Sequence, residues 1–183
     1  MFLSYHYTVK RDDKGRIMIP SEFKEKIQLE YPEISLSVTH GVVPHPCLVI
    51  YPEPVWIDKM KKLLNSKKSK HSAQALNMYK RYLTSNCFTK GLDSTGKLLI
   101  PQELWDNIAM PQDKGGRDIM LIGNYDSIEV WDPAVWKNFN QKTAEMIKTM
   151  QSEEQLAEEF AKIDLESIFN FEEEQEDDCT DKE

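Results

Sequence analysis

The sequence predicts an α+β protein built from two copies of one β-rich unit with flanking helices. Three observations lead there. Short stretches alternate apolar with polar residues and are punctuated by Gly, Pro and Asp, the pattern of half-buried strands joined by turns. Longer stretches behind Pro54 and Pro133 carry apolar residues at helical spacing, with proline at a first helical position. Finally, Thr8 to Pro20 returns as Thr89 to Pro101, 81 positions later, so that Asp93, Gly96, Lys97 and Pro101 match Asp12, Gly15, Arg16 and Pro20.

The repeat extends beyond that motif. Phe23 and Ile27 fall against Leu104 and Ile108, and Leu48 to Tyr51 with Val55-Trp56 fall against Ile128 to Trp131 with Val135-Trp136, now 80 positions apart. The one-residue difference implies a small insertion or deletion in a loop. Each copy holds about 55 patterned residues, marginal for burying a core alone, so the two copies are expected to complete one another.

Taken in order, Tyr5 to Arg11 alternates as a strand. Asp12 to Gly15 is polar turn chemistry, with Gly15 free to take a positive φ. Arg16 to Ile19 is a strand stopped by Pro20 and expected to close a hairpin on Tyr5 to Arg11. Ser21 is placed as the N-cap of a short helix carrying Phe23 and Ile27. Ile34 to Thr39 and Cys47 to Tyr51 read as strands with a turn over Gly41 to Pro46. From Pro54 a helix presents Val55, Trp56, Met60, Leu63 and Leu64 on one stripe. Asn65 to Ser72 is polar and basic, a linker or loop, and Ala73 to Leu83 is a helix with Leu76, Tyr79 and Leu83 on one face.

The second copy repeats strand, turn and strand, then a short helix over Gln102 to Ala109 and a loop over Pro111 to Gly116. Strands Asp118 to Ile122 and Ser127 to Trp131 follow. Pro133 opens a long helix with Trp136, Phe139, Thr143, Met146, Ile147 and Met150, which Leu156, Phe160 and Ile163 extend or restart. From Glu166 the chain is acidic, relieved only by Ile168, Phe169 and Phe171, and too polar to order itself.

Charge is unevenly distributed. The net charge is −8, yet from Gln151 onward fourteen acids face two lysines, which leaves the first 150 residues with seventeen acids and twenty-one bases. A mildly basic body with an acidic appendage is the asymmetry to interpret. No apolar run approaches the length of a membrane span, and the first ten residues lack the pattern of a secretory signal. Three widely spaced cysteines, Cys47, Cys87 and Cys179, fit a reducing cytoplasmic setting.

Arg16 and Lys97 are the first functional candidates, since each is expected to project from a hairpin mouth toward a phosphate or a base edge. Arginine suits a guanine edge because its fork is bidentate, whereas lysine is a point charge suited to phosphate. Arg16 can equally pair with Asp12 and stiffen the turn. Lys10, Arg11, Lys14, Lys24 and Lys26 surround the first turn, but only Lys90 and Lys97 the second, which makes the first turn the reading head. Gly15 and Gly96, with Asp12 and Asp93, are turn-forming residues.

Other features carry less. Lys67, Lys68 and Lys70 read as a solvated basic loop. His40, His45 and Cys47 lack the spacing and the fourth ligand of a structural zinc site, so no metal is assigned. No GxSxG, HExxH or GxxxxGK[ST] is present and no carboxylate pair has catalytic context, so no catalytic residue, cofactor or small-molecule substrate is expected. Trp56 and Trp136 belong to apolar stripes, and the acidic tail is solvated sequence unless its aromatics dock on a partner or it competes with DNA for the basic face.

Asp12-x-x-x-Arg16 with Pro20, then Pro46-Cys-Leu-Val-Ile-Tyr-Pro52, then Asp93 to Pro101 and Glu129-Val-Trp-Asp132, resembles the MraZ family from Met1 to about Met150. The resemblance implies two swapped-hairpin repeats of the AbrB type forming a β-rich barrel with flanking helices. In those terms residues 5–52 are the first AbrB-like repeat, 53–85 connecting helices and basic linker, 86–132 the second repeat, 133–165 a C-terminal helical segment and 166–183 a disordered acidic tail. It further implies a ring-shaped homo-oligomer, such as an octamer, that binds double-stranded promoter DNA as a nucleoid-associated regulator, a repressor of the division and cell-wall gene cluster. DNA contacts carried over by position fall on Lys14 and Arg16, with Lys10, Arg11 and Lys97 as further DNA-binding candidates. Lys97 stands where the family pattern has arginine. The alternative is an AbrB-type antitoxin whose acidic tail neutralises a partner protein.

Overall fold

A computed structural model describes residues 1–40, 46–65, 73–106, 108 and 118–149. The first repeat contributes β1 (His6–Lys10), β2 (Arg16–Met18), α1 (Ser21–Glu30), β3 (Ser35–His40) and β4 (Leu48–Pro52), followed by α2 (Glu53–Asn65). Helix α3 (Ala73–Ser85) leads into β5 (Phe88–Gly91), β6 (Lys97–Leu99), α4 (Gln102–Trp105), β7 (Asp118–Asn124) and β8 (Ser127–Trp131), and α5 (Pro133–Thr149) closes the described chain.

The turns form as the sequence demands, but the strands they join part company. Gly15 and Gly96 take φ of 77° and 81°, and each turn closes with matching backbone bonds, Gly15 N–H to Asp12 O and Gly96 N–H to Asp93 O, both 2.9 Å. Beyond the turn, β1 pairs with β7 and β2 with β6, each a strand of the other repeat. The hairpin expected between Tyr5–Arg11 and Arg16–Ile19 is therefore swapped. The reason is burial: β2 is only three residues long, and Ile17, wholly buried, finds its cover on Leu98 of the partner repeat.

Registers define a pseudo-two-fold axis. Ile17 faces Leu98, its own equivalent 81 positions on, and Val49 faces Glu129, its equivalent 80 positions on. The axis therefore passes between the two members of each pair. Val38 lies opposite Ile50 and Phe88, while Leu121 lies opposite Val130 and Tyr7. Those two residues are equivalent at a spacing of 83, so the copies differ by two insertions or deletions, not the single one expected.

Six antiparallel strands form one sheet in the order β1-β7-β8-β4-β3-β5, and β2-β6 forms a second. This corrects the expected barrel. The six-stranded sheet is open, because β1 and β5 lie at opposite edges and do not pair among the described residues. One face of it holds the larger core, where Leu36, Val38, Leu48, Ile50, Ile119, Leu121, Ile128 and Val130 pack against Ile17 and Leu98 of the small sheet, Ile19 and Ile100 just beyond its strands, and Phe23, Ile27, Leu104 and Trp105 of α1 and α4. The other face carries Val49, Tyr51 and Trp131, covered by Trp56 of α2, Leu83 of α3, and Trp136 and Phe139 of α5. Strand β4 is central and covered on both faces, hence buried along its whole length.

Two local expectations also change. Pro20, not Ser21, occupies the N-cap position of α1, with no side-chain cap bond; proline arrives already extended (ψ 141°), and its carbonyl accepts the Lys24 N–H at 3.0 Å. Helix α4 spans only Gln102–Trp105, short of the expected Ala109. No described helix is long and apolar enough to cross a membrane. The turn over 41–45, with His45, lies outside the described residues. So do the basic loop with Lys67, Lys68 and Lys70, the loop over 111–116 and everything from Met150 onward, with Cys179. The side chains of Leu63, Leu64 and Leu76 are likewise outside them.

Candidate nucleic-acid interface

Each turn is organised by its aspartate. Asp12 Oδ1 accepts the backbone N–H of Lys14 (3.0 Å) and of Arg16 (2.9 Å), and Asp93 Oδ1 accepts those of Thr95 (2.9 Å) and Lys97 (3.0 Å). This side-chain capture of backbone two residues on is the device that makes aspartate a turn residue. It leaves Oδ2 of each aspartate free for a cation.

Those cations come from both repeats. Arg16 donates through Nε (2.9 Å) and Nη2 (2.8 Å) to Asp12 Oδ2, and through Nη1 (3.2 Å) to Asp93 Oδ2. Lys97 Nζ lies 3.3 Å from Asp12 Oδ2. The expectation that Arg16 and Lys97 project outward is thus corrected: both point across the axis, because the free carboxylate oxygens lie there. The pairing of Arg16 with Asp12 is present, joined by a second pairing that the sequence did not announce. Three of the five guanidinium N–H bonds are used in this way, leaving two donors, and the side chain keeps about a third of its surface exposed (32 %).

Protonation follows from these contacts. The Arg16 backbone N–H, then its guanidinium, the Lys14 N–H and the Lys97 ammonium hold the Asp12 carboxyl far below its ordinary range, against an opposing effect of partial desolvation. Asp93 is brought down to about 2, first by the Thr95 hydroxyl and then by the Lys97 N–H, with Arg16 assisting. Arg16 in turn is held more firmly charged by Asp12 and Asp93. At neutral pH the two tips share one quartet of two anions and two cations.

Around this quartet the other candidates separate into engaged and free. Arg11 lies over the Trp105 ring, 4.7 Å from its centroid, and donates to Gln102 Oε1. Lys26 pairs with Glu22 at 3.0 Å. Lys10 is exposed at the end of β1, opposite Asp118 in register. Lys14 and Lys90 are exposed, and neither forms a salt bridge among the described residues. His40 is buried at the end of β3, stacked on Tyr82 with its centroid 6.5 Å away, and Cys47 is buried with its thiol pKa pushed up by desolvation.

Two supports were missed. Trp105 Nε1–H points at both Gly15 O (3.2 Å) and Ile100 O (3.1 Å), closing over the first turn from the other repeat. Reciprocal bonds, Ile19 N–H to Gly96 O (3.3 Å) and Ile100 N–H to Gly15 O (3.2 Å), lock each turn to the opposite hairpin. The signal was available in the repeat itself, since residue 105 is the equivalent of Lys24 at the spacing of 81, and a tryptophan in place of a lysine marks a site that is covered.

Comparison with known proteins agrees with the doubled architecture. A family model described as "MraZ protein, putative antitoxin-like" matches twice, over residues 2–78 and 84–160. A protein named transcriptional regulator MraZ from Moorella thermoacetica is 26 % identical, covering 90 % of this chain and all of the relative. Its namesake from Dechloromonas aromatica is 32 % identical over 74 % of this chain and 84 % of its own length. That from Shewanella violacea is 29 % identical over 82 % and 93 %. With both copies matched and the swapped turns in place, the chain belongs to the MraZ family.

Proposed function

We propose that this chain is a DNA-binding transcriptional regulator that meets promoter DNA with its two hairpin tips. The observation that carries the reading is the juxtaposition of both tips around the Asp12–Arg16–Asp93–Lys97 quartet, with the exposed Lys10, Lys14 and Lys90 on the strands and turns that form it. Lysines supply the salt-sensitive attraction to phosphate. Arg16, held in place by two carboxylates and retaining two donors, is the residue fit to address a base edge. The relatives carry the name transcriptional regulator, which supports the same reading.

At finer grain, the protein acts as a repressor of the division and cell-wall gene cluster. Several protomers in a ring set their tips on successive direct repeats about 10 bp apart. A mobility-shift titration of the DNA upstream of its own gene, at two salt concentrations, tests this. Salt-sensitive binding that a scrambled duplex fails to match is the expected result, and equal binding to both sequences refutes sequence-specific regulation. A second reading is favoured by the fourteen acids after Gln151 and by the antitoxin-like description of the matching family. It predicts a partner protein that copurifies and is lost on truncation at Gln151.

A further inference from the structure

By sequence the second turn is poor in charge, with Ser94-Thr95 where the first has Asp13-Lys14. Its surroundings alter that. Lys24 on α1 holds the position that Trp105 holds on α4. At the first turn, Trp105 covers Gly15 and Arg11 covers Trp105. At the second turn the corresponding residues are Lys24 and Leu92, which leave the space unfilled. A cleft of about 530 Å³ remains between α1 and the turn, its lining including Lys24, Glu25, Gln28, Asp93, Ser94 and Thr95.

Lys24 is half-buried on the wall of this cleft. Its Nζ sits so close to the turn that a β-carbon built on Gly96 would meet it at 2.8 Å. It forms no salt bridge among the described residues. Of the two carboxylates that line the cleft, Asp93 already serves Thr95, Lys97 and Arg16, and Glu25 forms no salt bridge with Lys24. A half-buried lysine that forms no salt bridge among the described residues, beside the Ser94 hydroxyl, is a setting for an anion of tetrahedral oxygens.

We propose that Lys24, with the Ser94 hydroxyl, forms a phosphate-binding subsite at the second turn. A first-repeat helix thus supplies the cation that the second-repeat loop lacks. The proposal rests on the DNA-binding reading above and takes its phosphate from the duplex backbone. The contact is to phosphate, so it adds affinity without sequence preference.

The experiment is an anisotropy titration of the upstream duplex and a scrambled duplex across about 50 to 200 mM salt. It compares wild type, Lys24→Gln and Lys24→Arg, each checked for an unchanged melting temperature. Lys24→Gln is expected to weaken both duplexes by the same factor and to reduce the slope of log affinity against log salt by about 0.9 for each lost phosphate contact, with Lys24→Arg restoring it. An unchanged slope in Lys24→Gln, with wild type still salt-sensitive, overturns the subsite and leaves the DNA-binding reading standing. Failure of wild type to bind either duplex overturns both. If inorganic phosphate raises the melting temperature in a Lys24-dependent way while the salt slope stays unchanged, the site serves free phosphate, and the duplex-contact proposal is overturned.

Discussion

Arg16 reaches the turn of the other repeat, its Nη1 3.2 Å from Asp93 Oδ2, so the arginine of one hairpin is tied to the aspartate of the other. Replacing Arg16 by alanine is expected to weaken binding of the cognate duplex by about 1–3 kcal/mol without dispersing the fold. Arg16→Lys should keep the salt dependence but lose discrimination between cognate and scrambled duplexes, since the bidentate fork is gone. Lys97→Ala should cost less than Arg16→Ala. Titrations of the three variants check the ranking, and the opposite order would make the second tip dominant.

Acid should loosen the paired tips before it unfolds the core. Asp93 titrates at about 2 in the folded chain and Asp12 lower still, against an ordinary 3.8. Between those values the unfolded chain takes up protons that the folded chain refuses. The carboxylates' stabilisation is therefore complete above about pH 3.8 and is lost as pH falls through the folded values. Melting temperatures measured from pH 5 to pH 2 should fall steeply in this window for wild type. The fall should be shallower in Asp93→Asn.

The two turn glycines should not tolerate alanine equally. Both sit at positive φ, which costs a non-glycine residue about 1–3 kcal/mol. A β-carbon on Gly15 would also meet the Ile100 carbonyl oxygen at 2.8 Å and the Trp105 indole at 3.3 Å, neither free to withdraw. On Gly96 it meets only the end of the Lys24 side chain, which can swing away. Gly15→Ala should therefore lose more stability than Gly96→Ala in urea denaturation, and equal losses would contradict the closure of Trp105 over the first turn.

On the axis itself, Ile17 and Leu98 are both wholly buried and face one another. Ile17→Ala and Leu98→Ala should each cost about 2–5 kcal/mol. The double variant should cost less than the sum, because the second truncation enlarges a cavity already opened by the first. A double-mutant cycle measures the shortfall, and strict additivity would separate the two side chains.

Much of this architecture was legible because alternation, turn chemistry and a doubled motif all agree. The helices behind Pro54 and Pro133 and the strand ending at Trp131 needed nothing else. What escaped was which strand pairs with which. Ile17 and Ile19 announce a buried face, yet local pattern cannot say whether their cover comes from Tyr7 and Val9 or from Leu98 and Ile100. The site was half visible for the same reason. Asp12 with Arg16 can be read within one turn, whereas Asp93 with Arg16, Trp105 over Gly15 and Lys24 beside Gly96 exist only once the repeats interlock.

Interlocking two unequal copies in one chain has a consequence for what such a body can distinguish. A pair of identical subunits about an exact two-fold is blind to direction and matches a palindrome. Here one side offers arginine, tryptophan and a stacked guanidinium where the other offers lysine, lysine and leucine, so the molecule has a head and a tail. Laid along a duplex, such a body would sense the orientation of its site, and inverting that site should cost affinity although no base has been lost.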